Sequence, residues 1–416
     1  MGKFSSRRSF LKKAALGLSA AVAAACTPRT PHTPSATNSP TIPSVSPTET
    51  PAAKPSIPVS PSTSTPVPSP TTTPVDGPTV VHIRNQAAVK WNETDPLYWK
   101  YADQEIIDLM MDRGVTLLTN EKDGVSAWKK IIRDYKQGDG IAIKVNFNTC
   151  SGKNDEDGQI DAIIEPVNSV ISGLLSAGVL AGDIWIYDAT RPIPDRFSSK
   201  VRNKEVRFFD NGAAFPAAGF NFNEDQVYVK FSNKMPPLEA GRPAIKITDL
   251  LVKAKFLINM PLLKKHSTPG FTLGFKNHFG SINHPGFLHD YIGIDRNLFS
   301  TEYNPMVDIF QNQNIAPKTI LTVGDGVFGY RGSQAGSPSG WDIYQGKLPT
   351  SLFLSLDPVA IDCVMGDFIA AERGLPDTAF AFLKLASDLG LGIYDRSQKP
   401  GGEYQKINYL FEEMNA

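Results

Sequence analysis

The sequence predicts an α/β body with a mainly parallel sheet and helices on both faces, preceded by a disordered Pro/Ser/Thr stalk. Three observations predict it. Short apolar runs alternate with segments of helical periodicity from residue 79 onward. Residues 141–188 read as strand, helix, strand, which makes a right-handed βαβ unit with parallel pairing. Thr27 to Pro78 holds 15 prolines and 21 Ser/Thr in 52 residues, with no aromatic residue. That stretch cannot bury enough apolar surface to fold.

Before the stalk, Ser6-Arg7-Arg8-Ser9-Phe10-Leu11-Lys12 leads into an Ala/Gly-rich run from Ala14 to Ala25. A basic start, a brief apolar segment and small residues before a cut site describe an export signal. The paired arginines with Phe-Leu-Lys resemble the twin-arginine signal, which implies folding before export and the twin-arginine translocase as a transient partner. Ala23-Ala24-Ala25-Cys26 resembles a lipobox, with Ala23 where Leu is commonest. Lipidation of Cys26 would anchor the chain to the membrane, whereas ordinary cleavage after the same Ala-x-Ala would secrete it. The division is therefore signal 1–25, linker 26–78 and folded body 79–416, in an extracytoplasmic protein. Extended as polyproline II at ~3.1 Å per residue, the linker would reach roughly 160 Å.

Charge narrows the partners. The chain has 42 basic and 42 acidic residues, but five of the basic ones lie in the first 25 residues. Without them, 37 basic face 42 acidic residues. A mildly acidic body is not a nucleic-acid binder, which needs a basic face. No apolar run reaches the ~18 residues of a spanning helix. The three cysteines cannot ligate an iron–sulfur cluster or build a disulfide framework, so no intrinsic cluster is expected. Cys150 and Cys363 are equally consistent with a pair formed after export or with two core thiols.

In chain order, Thr79–Arg84 is a first strand, and Asp103–Arg113 and 125–135 are amphipathic helices. The second of these sets Val125, Trp128, Ile131, Ile132 and Tyr135 on one face. Ile141–Phe147 is an apolar strand. Ile163 to Leu175 follows helical spacing and stops at Gly178, and Asp183–Asp188 is the next strand. Asp249–Ala254 is helical, and Phe256–Met260, Thr319–Val323 and Leu352–Leu356 are strands. Asp357-Pro358 caps a helix that ends at Gly374. Thr378–Leu389 is a last helix, capped by Thr378, and Asp362 lies off the apolar stripe as an exposed position. Ligands of such folds sit beyond the carboxyl ends of the strands. The segments after Phe147, Asp188, Met260, Val323 and Leu356 are the places to look.

The stretch after Met260 stands out. It carries four of the six histidines, His266, His278, His284 and His289, within 24 residues rich in Gly and Pro that read as an ordered loop. Histidine is the commonest transition-metal ligand and titrates near neutrality, so all four are candidate metal ligands. Lys144, Lys264, Lys265 and Lys276, with Asn146, Asn148, Asn259 and Asn277, supply cations and amides suited to a carboxylate or phosphate. Lys144 lies inside an apolar strand, where its charge needs a partner. Gly324-Asp325-Gly326-Val-Phe-Gly329 has dinucleotide-fingerprint spacing but is followed by a loop-like string where that motif needs a helix. A loop over a pocket, with Asp325 as ligand or acceptor, is the expectation.

Asn259-Met-Pro-Leu-Leu-Lys-Lys-His266, with Thr272-Leu-Gly-Phe-Lys276-Asn277-His278-Phe-Gly280, resembles the core motif of the domain of unknown function 362 family. Gly324-Asp-Gly and Ser355-Leu-Asp357-Pro-Val-Ala-Ile-Asp362 resemble its second half, so the likeness covers about 140–363. Many members carry a cysteine-rich ferredoxin-like module, which implies redox work, but this chain lacks it. The ten-residue spacing of His266 and Lys276 is also faintly similar to the lactate racemase loop that holds a nickel-pincer nucleotide. There the lysine carries the cofactor and a histidine ligates nickel. The resulting expectation is a transition metal or metal-containing nucleotide, or a small anionic ligand, bound by Lys144, Asn146, Lys265, Asn277 and Asp325. Lys276, His266 and His278 would be the catalytic groups, with redox or isomerase-type chemistry. The other expectation is a non-catalytic lipoprotein that captures an anionic solute.

Overall fold

The computed structural model describes residues 75–293, 300–332, 335–397 and 399–415. The signal, Cys26 and the linker up to residue 74 lie outside the described residues. The frame is one twisted mixed sheet, in the order β10-β1-β9-β8-β5-β2-β3-β4. Its strands are β1 (Thr79–Arg84), β2 (Ile141–Lys144), β3 (Ile184–Tyr187), β4 (Arg207–Phe209), β5 (Phe256–Asn259), β8 (Thr319–Tyr330), β9 (Ser351–Ser355) and β10 (Asn408–Glu413). β6 (Leu262–His266) joins along β8, and β7 (Gly270–Phe271) pairs with β6. Every neighbouring pair from β8 through β5, β2 and β3 to β4 is parallel. β9 alone runs against β1 and β8.

Strand alternation divides the core in two. Ile141, Ile143, Ile184, Ile186, Val81 and Ile83 face α1 (Gln104–Thr119), α2 (Gly124–Ile131) and α3 (Ile164–Ser176), joined by the single turn α4 (Asp195–Ser198). Ala142, Tyr187, Leu257, Val80 and Phe353 face the second layer. That layer holds α5 (Asp249–Lys253), α6 (Leu273–Asn277), α7 (Pro305–Phe310), α8 (Pro358–Arg373) and α9 (Ala381–Asp388). Both faces are thus covered, as near-continuous apolar strands require. Asp357 caps α8 by accepting from Val359 and Ala360 N–H, as its Asp-Pro sequence predicts. Among the described residues no helix is long and apolar enough to cross a membrane.

Four local expectations are corrected. The Gly324–Gly329 string is strand, not loop, because β8 runs on to Tyr330 between β6 and β9. Its glycine at 324 leaves room for the Met365 side chain of α8, which a Cβ there would strike. Asp362 is fully buried rather than exposed. Thr378 is not a cap: Pro376 starts a 3₁₀ turn at Asp377–Phe380, and α9 begins only at Ala381. Val125 is 41% exposed and leaves the buried face of α2 to Trp128 and Ile131. Cys150 and Cys363 are both buried free thiols, not a pair.

Candidate functional site

A cavity of about 440 Å³ opens beyond the carboxyl ends of β2, β3 and β4. Strand β2 delivers Lys144, Asn146 and Asn148; the turn after β3 delivers Asp188, Thr190 and Arg191; Asn211 follows β4. The segment after β5 supplies the far wall with His266, Thr272, Lys276, Asn277, Phe279 and His289. Three of the five expected strand ends therefore meet here. The other two do not, for structural reasons. No loop follows Val323, since β8 continues, and antiparallel β9 carries Leu356 to the opposite edge of the sheet.

The segment expected as a loop is ordered into strands β6 and β7, helix α6 and two 3₁₀ turns, His278–Ser281 and Pro285–Tyr291. Helix α6 is clamped from both ends. Asp362, reaching across from α8, accepts hydrogen bonds from the N–H groups of Gly274 (2.8 Å) and Phe275 (3.1 Å). Burial still raises its carboxyl to about 7 against those bonds. Leu273, which opens α6, has φ of 22°, a strained backbone held in place by this grip. At the other end Asn277 donates to Asn259 Oδ1 (2.8 Å) and accepts from Asn146 (3.1 Å).

Lys144 is fully buried and has the partner its strand position demands. Its ammonium donates to Asp188 Oδ2 (3.1 Å), Asn277 Oδ1 (3.3 Å) and the Val145 carbonyl. All three of its hydrogens are thereby engaged. Burial lowers its pKa and Asp188 opposes the shift. Gly280 is needed at this point, since a Cβ there would lie 2.6 Å from Lys144 Nζ.

Lys276 is different. Its amine lies 3.5 Å from the Phe279 ring centroid and 3.3 Å from His289 Nε2, and among the described residues no carboxylate forms an ion pair with it. A desolvated cation–π contact offers about 2 kcal/mol, against several kcal/mol for burying an unpaired ammonium. Burial wins. It draws Lys276 well below the ordinary lysine range, and the Lys264 charge adds to the effect. Burial also drives His266 to about 2 and His289 to about 4, both reinforced by Lys276. Both imidazoles are neutral at pH 7.

The four histidines do not assemble as a metal set. His266 and His289 stack at 6.2 Å between ring centroids. His278 is fully buried against Phe310 and Ser281, behind the cavity wall, and His284 stacks on Phe287. Among the described residues no group of three His, Cys, Asp or Glu could hold a metal ion. His266 Nδ1 accepts the Thr268 N–H at 3.0 Å, which places the ring proton on Nε2. A metal-ligating histidine would instead donate its second nitrogen. The residues do not fit a histidine-ligated metal.

Other expected ligands also fall elsewhere. Asp325 alternates with Val323 and Val327 on the α1–α3 face, accepts from the Val327 N–H (3.0 Å), and does not line the cavity. Lys265 sits between Lys264 and His266 in β6, so strand alternation turns it away from the wall. Lys264 is buried, and its amine finds no hydrogen-bond partner among the described residues. Arg191, Asp188, Phe279 and Asp362 were not singled out from sequence. Only the position of the first two at a strand end signals them.

A family model described as domain of unknown function (DUF362) matches residues 141–367, a little over half of the chain. The match spans every strand that delivers a wall of the cavity, and Asp362 as well. No curated protein matches the chain.

Proposed function

We propose, for a chain that belongs to the domain of unknown function 362 family, that the folded body binds a small anionic organic molecule in this cavity. We further propose that it does so outside the cytoplasm, exported by its twin-arginine signal and held at the membrane through Cys26 and the Pro/Ser/Thr linker. One observation carries the ligand reading: the Arg191 guanidinium, the Lys144 ammonium and the N–H donors of Lys276, His266 and His289 converge on one cavity whose only lining carboxylate, among the described residues, is Asp188. Asp188 is occupied by Lys144 and by the Phe147 and Thr190 N–H groups, so the remaining field favours a negative guest. Arg191 is exposed at the rim and can steer the ligand, while Asn146, Asn211 and Asn283 offer amides along the wall.

Calorimetry of the full chain with phosphate, malonate and pyruvate at low ionic strength tests this. Saturable binding of at least one, weakened in Arg191→Ala and by added salt, is the expected result. Equal binding of neutral analogues such as glycerol would refute it. A purely capturing protein and an enzyme share this site, and what separates them is whether Lys276 reacts.

A further inference from the structure

We propose that Lys276 is an imine-forming amine and that the pocket's ligand is a small anionic carbonyl compound, of which a 2-oxo acid is the simplest. This rests on the anion reading of the cavity and adds a reacting group to it. The two lysines of the pocket have different geometry. Lys144 directs all its hydrogens at fixed acceptors and has no freedom to react. Among the described residues no carboxylate pairs with Lys276, which stands over the Phe279 face 3.3 Å from His289 Nε2. An aromatic face, an amine on the cavity surface and an imidazole at hydrogen-bond distance are parts that carbonyl condensation can use.

The step balances without an external oxidant or reductant. The Lys276 nitrogen lone pair attacks the carbonyl carbon, forming a C–N bond while the carbonyl π electrons move to oxygen. His289 carries one proton from nitrogen to the oxyanion, which gives the carbinolamine, and then the second proton from nitrogen to its hydroxyl, which leaves as water. The carbinolamine C–O bond breaks and the C=N bond remains. Arg191 and the wall amides hold the carboxylate during this exchange, and His266 stacks on His289 to fix the imidazole plane.

The test treats the full chain with pyruvate and cyanoborohydride, followed by intact mass spectrometry and peptide mapping. One reduced adduct on Lys276 is expected, absent from Lys276→Arg and kept in Lys265→Arg. His289→Gln should slow its formation by about 10²-fold. Acetone, the neutral probe, should label about tenfold more slowly or less, the equivalent of one ion pair. Pyruvate that binds by calorimetry yet leaves no adduct on Lys276 would overturn the imine and spare the anion site. Equal labelling by acetone would overturn the anionic substrate. Adducts scattered over surface lysines would overturn both parts of the proposal.

Discussion

The two lysines of the cavity, Lys144 and Lys276, make the most informative comparison in the molecule. Both are buried, and both sit on walls built by the same family core. The Lys144 wall is saturated: ammonium, carboxylate, amide and backbone each have a partner. Such a network fixes shape. The Lys276 wall is left short, with one amine, two neutral imidazoles and an aromatic face. Polar groups left short inside a fold cost stability, and they concentrate where chemistry or binding occurs. The comparison teaches that one wall holds the cavity's form and the other is kept for a guest.

The largest expected effect breaks the saturated wall. Lys144→Met strands the buried Asp188 carboxylate and should cost about 3–5 kcal/mol of stability. Lys276→Met removes an amine that pairs with no carboxylate among the described residues, and should leave the melting temperature unchanged or higher. Similar losses in both variants would erase the distinction between the walls. Next in size, Asp362→Ala strands the Gly274 and Phe275 N–H groups and should cost about 1–3 kcal/mol. Hydrogen exchange at those two amides would show whether the loss is centred on α6. Smaller again, Gly280→Ala presses on the amine of Lys144, and the overpacking should cost about 1 kcal/mol. Gly286→Ala, with nothing within 4 Å of its added Cβ, is the matched neutral change.

The last effect concerns pH. His266, drawn to about 2, and His289, drawn to about 4, exclude protons that the unfolded chain accepts near 6.5. Their contribution is full above 6.5 and declines as the pH falls toward 4. Asp362, raised to about 7, works in the opposite sense: its contribution is full below its unfolded value and lost as the pH rises through 7. The double variant His266→Gln, His289→Gln should therefore have a flatter dependence of melting temperature on pH between 6.5 and 4. An unchanged slope would mean that the folded histidines already carry charge.

What was readable in the sequence follows from how locally each feature is encoded. Lys144 announced itself, because a charge inside Ile-Ala-Ile-Lys-Val needs a buried partner. The parallel run of strands was readable from strand–helix alternation, and the family core from its paired motifs. Asp362 was not, since its purpose depends on Gly274, 88 positions earlier, and its own helix marks it only as off the apolar stripe. Strand β8 was misjudged past Val323 because glycines read as loop. Gly324 makes room for Met365, and Gly326 lies against Leu263 and the Ser351 carbonyl, contacts no local window contains. The histidine cluster was misleading in a similar way: proximity in sequence brought two of the four to the cavity and turned His278 into the core.

The direction of β1 decides how the site can be approached. β1 opposes β9, and β9 opposes β8, so β1 runs in the same sense as β2, β3 and β5. The chain therefore enters the sheet at Thr79 on the edge opposite the cavity, while β10, parallel to β1, leaves at Glu413 toward the cavity's edge. Thr79 thus lies at the far end of the strands from the mouth of the cavity. A bulky fusion after Glu413 adds mass on the same edge of the sheet as the opening.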